Sequence, residues 1–313
     1  MLKRYCISQG RVVDATDEPS PILVYVNPDP AERQHLIEEC KIDEHTLQSS
    51  LDPDELARVE FEPEYTALIV KRPRRYSAVD NFLFKVQSLG IFLFRDRLII
   101  LLGEEVQLFD RRQFSRLVTI QDVVLKLVFM STWHFEEHLK VISACSDELE
   151  REIQTSVNNR QLLSMFTLEK SLVFYLEAIS SNSRVINKLR ANAAKFGFTE
   201  EQREFVEDVA IENSQCFEMA QIYSQVLSGL MDARASVISN NLNMMMKNLN
   251  AFVIAVAVPS FFAGVGGMSE FSNMIGFEKH WKWAYPLFVV GMILIGMVTF
   301  FLIKKAERYW KES

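Results

Sequence analysis

Ala255-Val256-Ala257-Val258-Pro259-Ser260-Phe261-Phe262-Ala263-Gly264-Val265-Gly266-Gly267-Met268-Ser269 is the stretch that decides the fold. It closes an apolar run that starts at Leu249 and is broken by Asn250 and a few small residues. A second run, Trp283 to Ile303, carries no charged residue. Each approaches ~20 residues, and at ~1.5 Å rise per residue that length crosses a hydrocarbon core of ~30 Å. The sequence therefore predicts a membrane hairpin: a first span over 249–268, an extracytoplasmic loop over 269–282 and a second span over 283–303. The alternative is a pair of buried core helices in a soluble protein. Against it stand Trp281, Trp283, Tyr309 and Trp310 at the ends of the second run, where aromatic belts meet a membrane interface. Lys304, Lys305, Arg308 and Lys311 make 304–313 a basic tail, and positive charge marks the cytoplasmic side.

A chain with 49% hydrophobic residues and a net charge of −7 has the composition of a water-soluble globular protein carrying a membrane tail. Met1-Leu2-Lys3-Arg4-Tyr5 leads into polar sequence without the apolar core of a signal peptide. Two spans and an inside C-terminus place both termini in the cytoplasm of a multi-pass protein of the plasma (inner) membrane. Cys6, Cys40, Cys145 and Cys216 show no paired spacing, so free thiols are expected rather than disulfides or a zinc site. The acidic balance argues against nucleic acid as a partner and suits a surface that gathers cations.

Residues 1–115 have mixed α/β character. Strand-like runs occur at Arg11–Val13, Ile22–Val26, Tyr65–Val70, Gly90–Phe94 and Arg97–Leu102, with a tight turn at Asp96-Arg97 pairing the last two. Asn27-Pro28-Asp29-Pro30 opens a helix over Ala31 to Cys40, and a second short helix covers Asp43 to Ser50. No glycine-rich phosphate loop follows a strand, so no nucleotide cofactor is expected. From about Gln113 the pattern turns helical, giving a helical hairpin over 116–198 and a stalk over 199–248. Thr199-Glu200-Glu201-Gln202 has the form of a capped helix start, and no proline follows until Pro259. A helix this long is a stalk continuous with the first span.

Steps of three and four along the stalk connect Asp232, Ser236, Ser239, Asn243, Met246, Asn250, Val253, Ala257 and Ser260. A polar, small-residue stripe entering a membrane faces a bundle interior or water rather than lipid. Two spans cannot enclose a pore, so a pore along this stripe requires several chains. The alternative is a solvated stalk face continued by small residues that pack against another helix.

These residues resemble a known family. Ser239-Asn240-Asn241-Leu242-Asn243 with Met246-Lys247, the proline-bearing apolar run, Ala263-Gly264 and then Gly267-Met268-Ser269 look like the CorA-type divalent cation channels. Trp281-Lys282-Trp283-Ala284-Tyr285-Pro286 agrees with that family's pattern at the second span, and Leu51-Asp52-Pro53-Asp54-Glu55-Leu56-Ala57-Arg58-Val59-Glu60 resembles its cytoplasmic domain. The resemblance implies an α+β membrane protein assembled as a funnel-shaped homopentamer. The first span would line the pore, and Mg2+ or another divalent ion (Co2+, Ni2+, Zn2+) would pass inward down its gradient. A divalent ion gains ~4.6 kcal/mol per 100 mV of inside-negative potential, so no ATP site and no resident cofactor are needed.

The resemblance also assigns roles. Gly267, Met268 and Ser269 would form the selectivity filter, with Ser269 where the family carries Asn and Gly266 where it usually carries an aromatic residue. A shorter hydroxyl in place of a carboxamide predicts a wider, weaker filter, unless backbone carbonyls near Gly266 and Gly267 do the binding. Asp232, Ser239, Asn243, Met246, Leu249, Asn250, Val253, Ala257 and Ser260 would line or gate the pore. Asp232 is then a carboxylate ring at the inner mouth, and Met246 with Leu249 an apolar constriction. Glu270 and Glu278 would focus cations at the outer mouth, or merely solvate the loop. Asp208, beside Glu204, Glu207 and Glu212, falls where the family's stalk carries a carboxylate for a regulatory ion between subunits. Two other readings stay open. His134-Phe135-Glu136-Glu137-His138 fits the inverted zinc-peptidase pattern H-x-x-E-H, with His134, Glu137 and His138 as its chemistry, but no third ligand is identifiable. A channel relative that no longer conducts and serves as a metal sensor or scaffold is the other.

Overall fold

A computed structural model describes residues 1–15, 20–76, 82–109, 114–155, 159–268 and 281–312. The strands are β1 (Leu2–Ser8), β2 (Arg11–Asp14), β3 (Ile22–Val26), β4 (Arg58–Phe61), β5 (Tyr65–Pro73), β6 (Val86–Phe94) and β7 (Leu98–Leu102). The helices are α1 (Pro30–Glu38), α2 (Glu44–Leu51), α3 (Ile120–Thr155), α4 (Asn159–Ala191), α5 (Glu200–Gly266) and α6 (Trp281–Glu312). The chain forms two compact units, Met1–Met231 and Asp232–Ser313.

In the first unit a seven-stranded sheet runs in the order β2-β1-β3-β7-β6-β5-β4. All pairings are antiparallel except β3 with β7. Both faces of its central strands are covered, so those strands are apolar throughout: all five residues of β7 are buried. One face packs on α3, α4 and the start of α5 through Leu68, Val70, Ile91, Ile100, Val124, Ile186 and Val206. The other face takes α1 and α2 through Phe92, Ile99, Leu36 and Leu47. Gly90 is required there, because a Cβ would fall 2.6 Å from Ser50 Cβ of α2. A third cluster, with Phe135, Leu139, Leu172, Tyr175 and Cys216, joins α3, α4 and α5.

Local chemistry sets the element ends. Asp29 caps α1 by accepting from Glu32 N–H at 2.8 Å while Asp29 N–H donates back to Glu32 Oε2 at 3.1 Å. Thr199 and Gln202 form the matching box at the start of α5, at 3.0 and 3.3 Å. Gln202 also donates to Asp122 Oδ1 at 2.5 Å and Thr119 Oγ1 at 3.1 Å, which ties the first turns of α3 and α5 together. The β6–β7 turn closes by Phe94 N–H to Arg97 C=O at 2.9 Å.

Two strands escape the sequence pattern. β1 has no apolar alternation (Leu-Lys-Arg-Tyr-Cys-Ile-Ser), and it is a strand because β2 and β3 pair with it on both sides. Its hairpin to β2 turns at Gln9 and Gly10, both at positive φ (49° and 72°), the geometry that suits a two-residue connection. β4 is four residues long and lies at the sheet edge. The four cysteines are free; Cys40 and Cys216 are buried, and burial raises both thiol pKa values, Cys216 to about 12.

Among the described residues α5, which runs from the first unit into the second, and α6 are the two helices long and apolar enough to cross a membrane. The stalk and the first span predicted as 199–248 and 249–268 lie on one uninterrupted helix, α5. The basic tail predicted from residue 304 continues the helix of α6 to Glu312. The loop predicted over 269–282 lies outside the described residues except for its last two, Trp281 and Lys282, which begin α6.

Candidate functional site

The packing of α5 on α6 determines which side of α5 is left over. Among its last residues Ala251 and Ala255 are buried, and Val258, Pro259, Val265 and Gly266 are half-buried. Small residues bring the two helices close. A Cβ on Gly296 of α6 would lie 3.2 Å from Ala255 O and 3.3 Å from Pro259 Cγ. Pro259 has no N–H to give the Ala255 carbonyl, and Gly296 sits against that carbonyl. Further along, a Cβ on Gly266 would lie 2.9 Å from Phe288 Cζ. The ring of Phe288 thus occupies the space an aromatic residue at 266 would need, and aromatic bulk at this level comes from α6. The Ala251-x-x-x-Ala255 spacing was visible in the sequence as a small-residue helix contact but is not part of the predicted stripe.

The predicted stripe is on the other side. Asp232, Ser239, Asn243, Met246, Leu249, Asn250, Val253, Ala257 and Ser260 are all exposed in the single chain. At ~100° per residue the stripe centres roughly 150° from the Ala251–Ala255 face, with Leu249 at its margin. The side chains of Asn243 and Asn250 have no hydrogen-bond partner among the described residues. Ser260 differs, since its hydroxyl donates to Val256 C=O at 2.8 Å and so its own helix satisfies it. Met246 and Val253 are 55% and 54% exposed, which leaves apolar rungs between the polar ones.

Gly267 and Met268 follow the end of α5, with Gly267 N–H to Ala263 C=O at 3.0 Å and Met268 N–H to Val265 C=O at 3.2 Å. Ser269, Glu270 and Glu278 lie outside the described residues. Asp208 is exposed on α5 in the first unit, as are Glu204, Glu207 and Glu212. Glu207 pairs with Arg190 at 3.2 Å. Among the described residues no group of three or more His, Cys, Asp or Glu side chains is placed to hold a metal ion within the chain.

The H-x-x-E-H residues on α3 are engaged elsewhere. His138 Nδ1 lies 2.7 Å from the Tyr175 hydroxyl, and Glu137 pairs with Lys140 at 2.9 Å. Burial, and then the nearby Arg72 charge, hold the His138 pKa below the ordinary histidine value, against a smaller opposite pull from Glu137. Burial raises the Tyr175 hydroxyl pKa. A histidine whose folded pKa is depressed lets the unfolded state take up the proton first, so stability is lost as pH falls below ~6.5. The slope is at most about 1.4 kcal/mol per pH unit for one proton. We expect the unfolding temperature to fall between pH 7 and pH 5, and His138→Gln to flatten that fall. Parallel acid profiles for both proteins would show that His138 carries none of it.

Comparison with known proteins gives a consistent outcome. A family model described as CorA-like Mg2+ transporter protein matches residues 22–305. The cobalt/magnesium transport protein CorA of Methanocaldococcus jannaschii is 23% identical over 263 residues, 81% of each chain. The protein of the same name from Thermotoga maritima is 24% identical over 271 residues, 83% of this chain and 75% of its own. The complete structure of the M. jannaschii CorA magnesium transporter superposes with a TM-score of 0.75 at 21% identity, covering 96% of both chains.

Proposed function

The chain belongs to the CorA-like Mg2+ transporter family, and on that premise we propose that it is a passive conduit for divalent cations, Mg2+ foremost, built from five identical chains. The observation that supports this reading most is the unpartnered face of α5 opposite its contact with α6. Carboxamides at Asn243 and Asn250 are costly against lipid, and copies of the same helix gathered round an axis would turn them toward water. In that assembly Asp232 gathers cations at the inner mouth, and Met246 with Leu249 narrows the path with apolar side chains. Both termini then lie in the cytoplasm, the lipid of the plasma membrane surrounds α6, and Gly267, Met268 and Ser269 stand at the outer end, with Glu270 and Glu278 beyond them. The driving force is the ion's own gradient, so no catalysis is assigned to the chain.

Mg2+ dehydrates reluctantly and demands near-octahedral coordination. A filter that accepts it with its waters needs neutral oxygens at a suitable distance. The Ser269 hydroxyl reaches less far than a carboxamide, so the reading includes a looser filter with admission of Co2+, Ni2+ or Zn2+. Proteoliposomes loaded with ion-sensitive dye test both parts. Influx of Mg2+ under an inside-negative potential is expected, with Ser269→Asn favouring Mg2+ over the other three ions by severalfold. No flux of any ion would reject the conduit. Identical ion profiles for parent and Ser269→Asn would reject the looser filter alone. A regulatory divalent ion at Asp208, between neighbouring chains, belongs to the same reading.

A further inference from the structure

A cavity of about 950 Å³ opens in the first unit, well away in sequence from the stripe on α5. Strands β1, β2 and β3, the segment 105–109, the end of β5 and His134 and His138 of α3 line it. Its charged lining residues are Lys3, Arg11, Arg72 and Arg75 against Asp14 and Glu105. Lys3 and Glu105 pair with each other at 2.5 Å, so the remaining charge is positive.

Arg72 is the anomaly. It is 8% exposed, its Nε is buried without a hydrogen-bond partner, and no carboxylate pairs with it among the described residues. Burial alone pulls its guanidinium down to about 10. Buried charges are ordinarily paired, so an unpaired guanidinium lining a cavity marks a missing anion. Gln87 stands directly opposite Arg72 in the β5–β6 register. It too is buried, with Nε2 unpartnered. Across the cavity wall Tyr5 and Phe109 meet edge to face at 4.9 Å, an apolar surface beside the cationic one. The Tyr175 hydroxyl and His138 Nδ1 share a hydrogen bond of 2.7 Å, which fixes the His138 ring at the cavity wall.

We propose that this cavity binds a phosphate monoester, its phosphate on the Arg72 guanidinium and its organic part against Tyr5 and Phe109. Side chains hold the anion, not a glycine-rich loop. Guanidinium matches phosphate because its planar donors form two parallel charge-assisted bonds. Inorganic phosphate shares the recognised group, and a volume of 950 Å³ leaves room for a nucleotide-sized ester.

The test is thermal unfolding of the detergent-solubilised full-length protein, read without any ion flux, so it stands apart from the transport reading. Sodium phosphate and adenosine monophosphate are titrated against sodium chloride at equal ionic strength. Both phosphates are expected to raise the unfolding temperature saturably, the monophosphate at lower concentration. Arg72→Met removes a buried unpaired charge, so it should unfold at a higher temperature than the parent without ligand and lose the phosphate shift. Arg11→Glu reverses the charge of an exposed lining residue, where substitutions ordinarily disturb folding little, and should weaken binding roughly threefold or more. Saturation by inorganic phosphate as tight as by the ester would identify the free anion as the occupant and retain the Arg72 site. The proposal is overturned if neither compound gives a saturable shift beyond chloride, or if Arg72→Met keeps the parent's response.

Discussion

Asn250→Leu is expected to cut Mg2+ influx into proteoliposomes by about tenfold to a hundredfold. Asn250 is exposed on the face of α5 away from α6 and has no partner within the chain among the described residues. One turn below it is Met246 and about one turn above is Val253, both apolar. With leucine at 250, the rungs from Met246 to Ala257 become a continuous hydrocarbon surface. In an assembly around an axis, such a belt expels water, and a divalent ion that keeps its hydration shell cannot follow. A rise of about 1.4–2.8 kcal/mol in the barrier corresponds to that range of rates. Asn250→Gln, which keeps a carboxamide, should conduct within a few-fold of the parent. Phe252→Leu, off that face, should leave flux unchanged. Equal flux in Asn250→Leu and the parent would mean that this face does not line the path.

The largest effect on stability is expected at Asn182. Strand β4 ends its pairing with β5 at Arg58 opposite Ile69, so the backbone of Lys71 has no strand beside it on that edge. Asn182 of α4 takes the missing strand's place. It accepts from Lys71 N–H at 2.8 Å and donates to Lys71 C=O at 2.7 Å. Ser131 of α3 also donates to that carbonyl. All of this is buried, with Asn182 1% exposed. Asn182→Ala leaves the Lys71 N–H orphaned and the carbonyl with one partner, at a cost of about 2–4 kcal/mol. For a unit of this size that lowers the unfolding temperature by roughly 5–12 °C. Asn182→Asp should not rescue it, because the new oxygen facing the Lys71 carbonyl makes two acceptors meet. Thermal unfolding followed by circular dichroism reads both variants; losses under about 1 kcal/mol in either would show that water replaces the amide.

Much of the fold could be read along the chain, because several of its signals are local. Pro30 after Asp29, and Thr199 three residues before Gln202, announce helices by capping chemistry that involves four consecutive residues. β3 and β7 are solid apolar runs, and the uncharged stretch of α6 declares itself by length. β1 and β4 were not legible, since the apolar residues of one (Leu2, Tyr5, Cys6, Ile7) form neither a run nor an alternation and the other is four residues at an edge. Neither has a pattern of its own, and each is a strand only because a distant partner pairs with it. The same limit applies to the candidate site. The three-and-four spacing of Asn243, Met246, Asn250 and Val253 puts these residues on one face by helix geometry alone. Which face of α5 meets α6 depended on Gly296, some forty residues further on, and on the ring of Phe288 beside Gly266.

By itself, then, the sequence determined the helical periods, the caps, the two apolar lengths and the polar stripe, since each follows from bonds and spacings within a turn or two. The tertiary structure alone decided three things: the parallel join of β3 to β7, the use of Asn182 as a substitute strand, and the burial of Arg72 without a counter-charge among the described residues. Each depends on groups far apart in the chain, and a covalent order of residues carries no information about which distant backbone edge or charge will be left without a partner until the chain has closed around it.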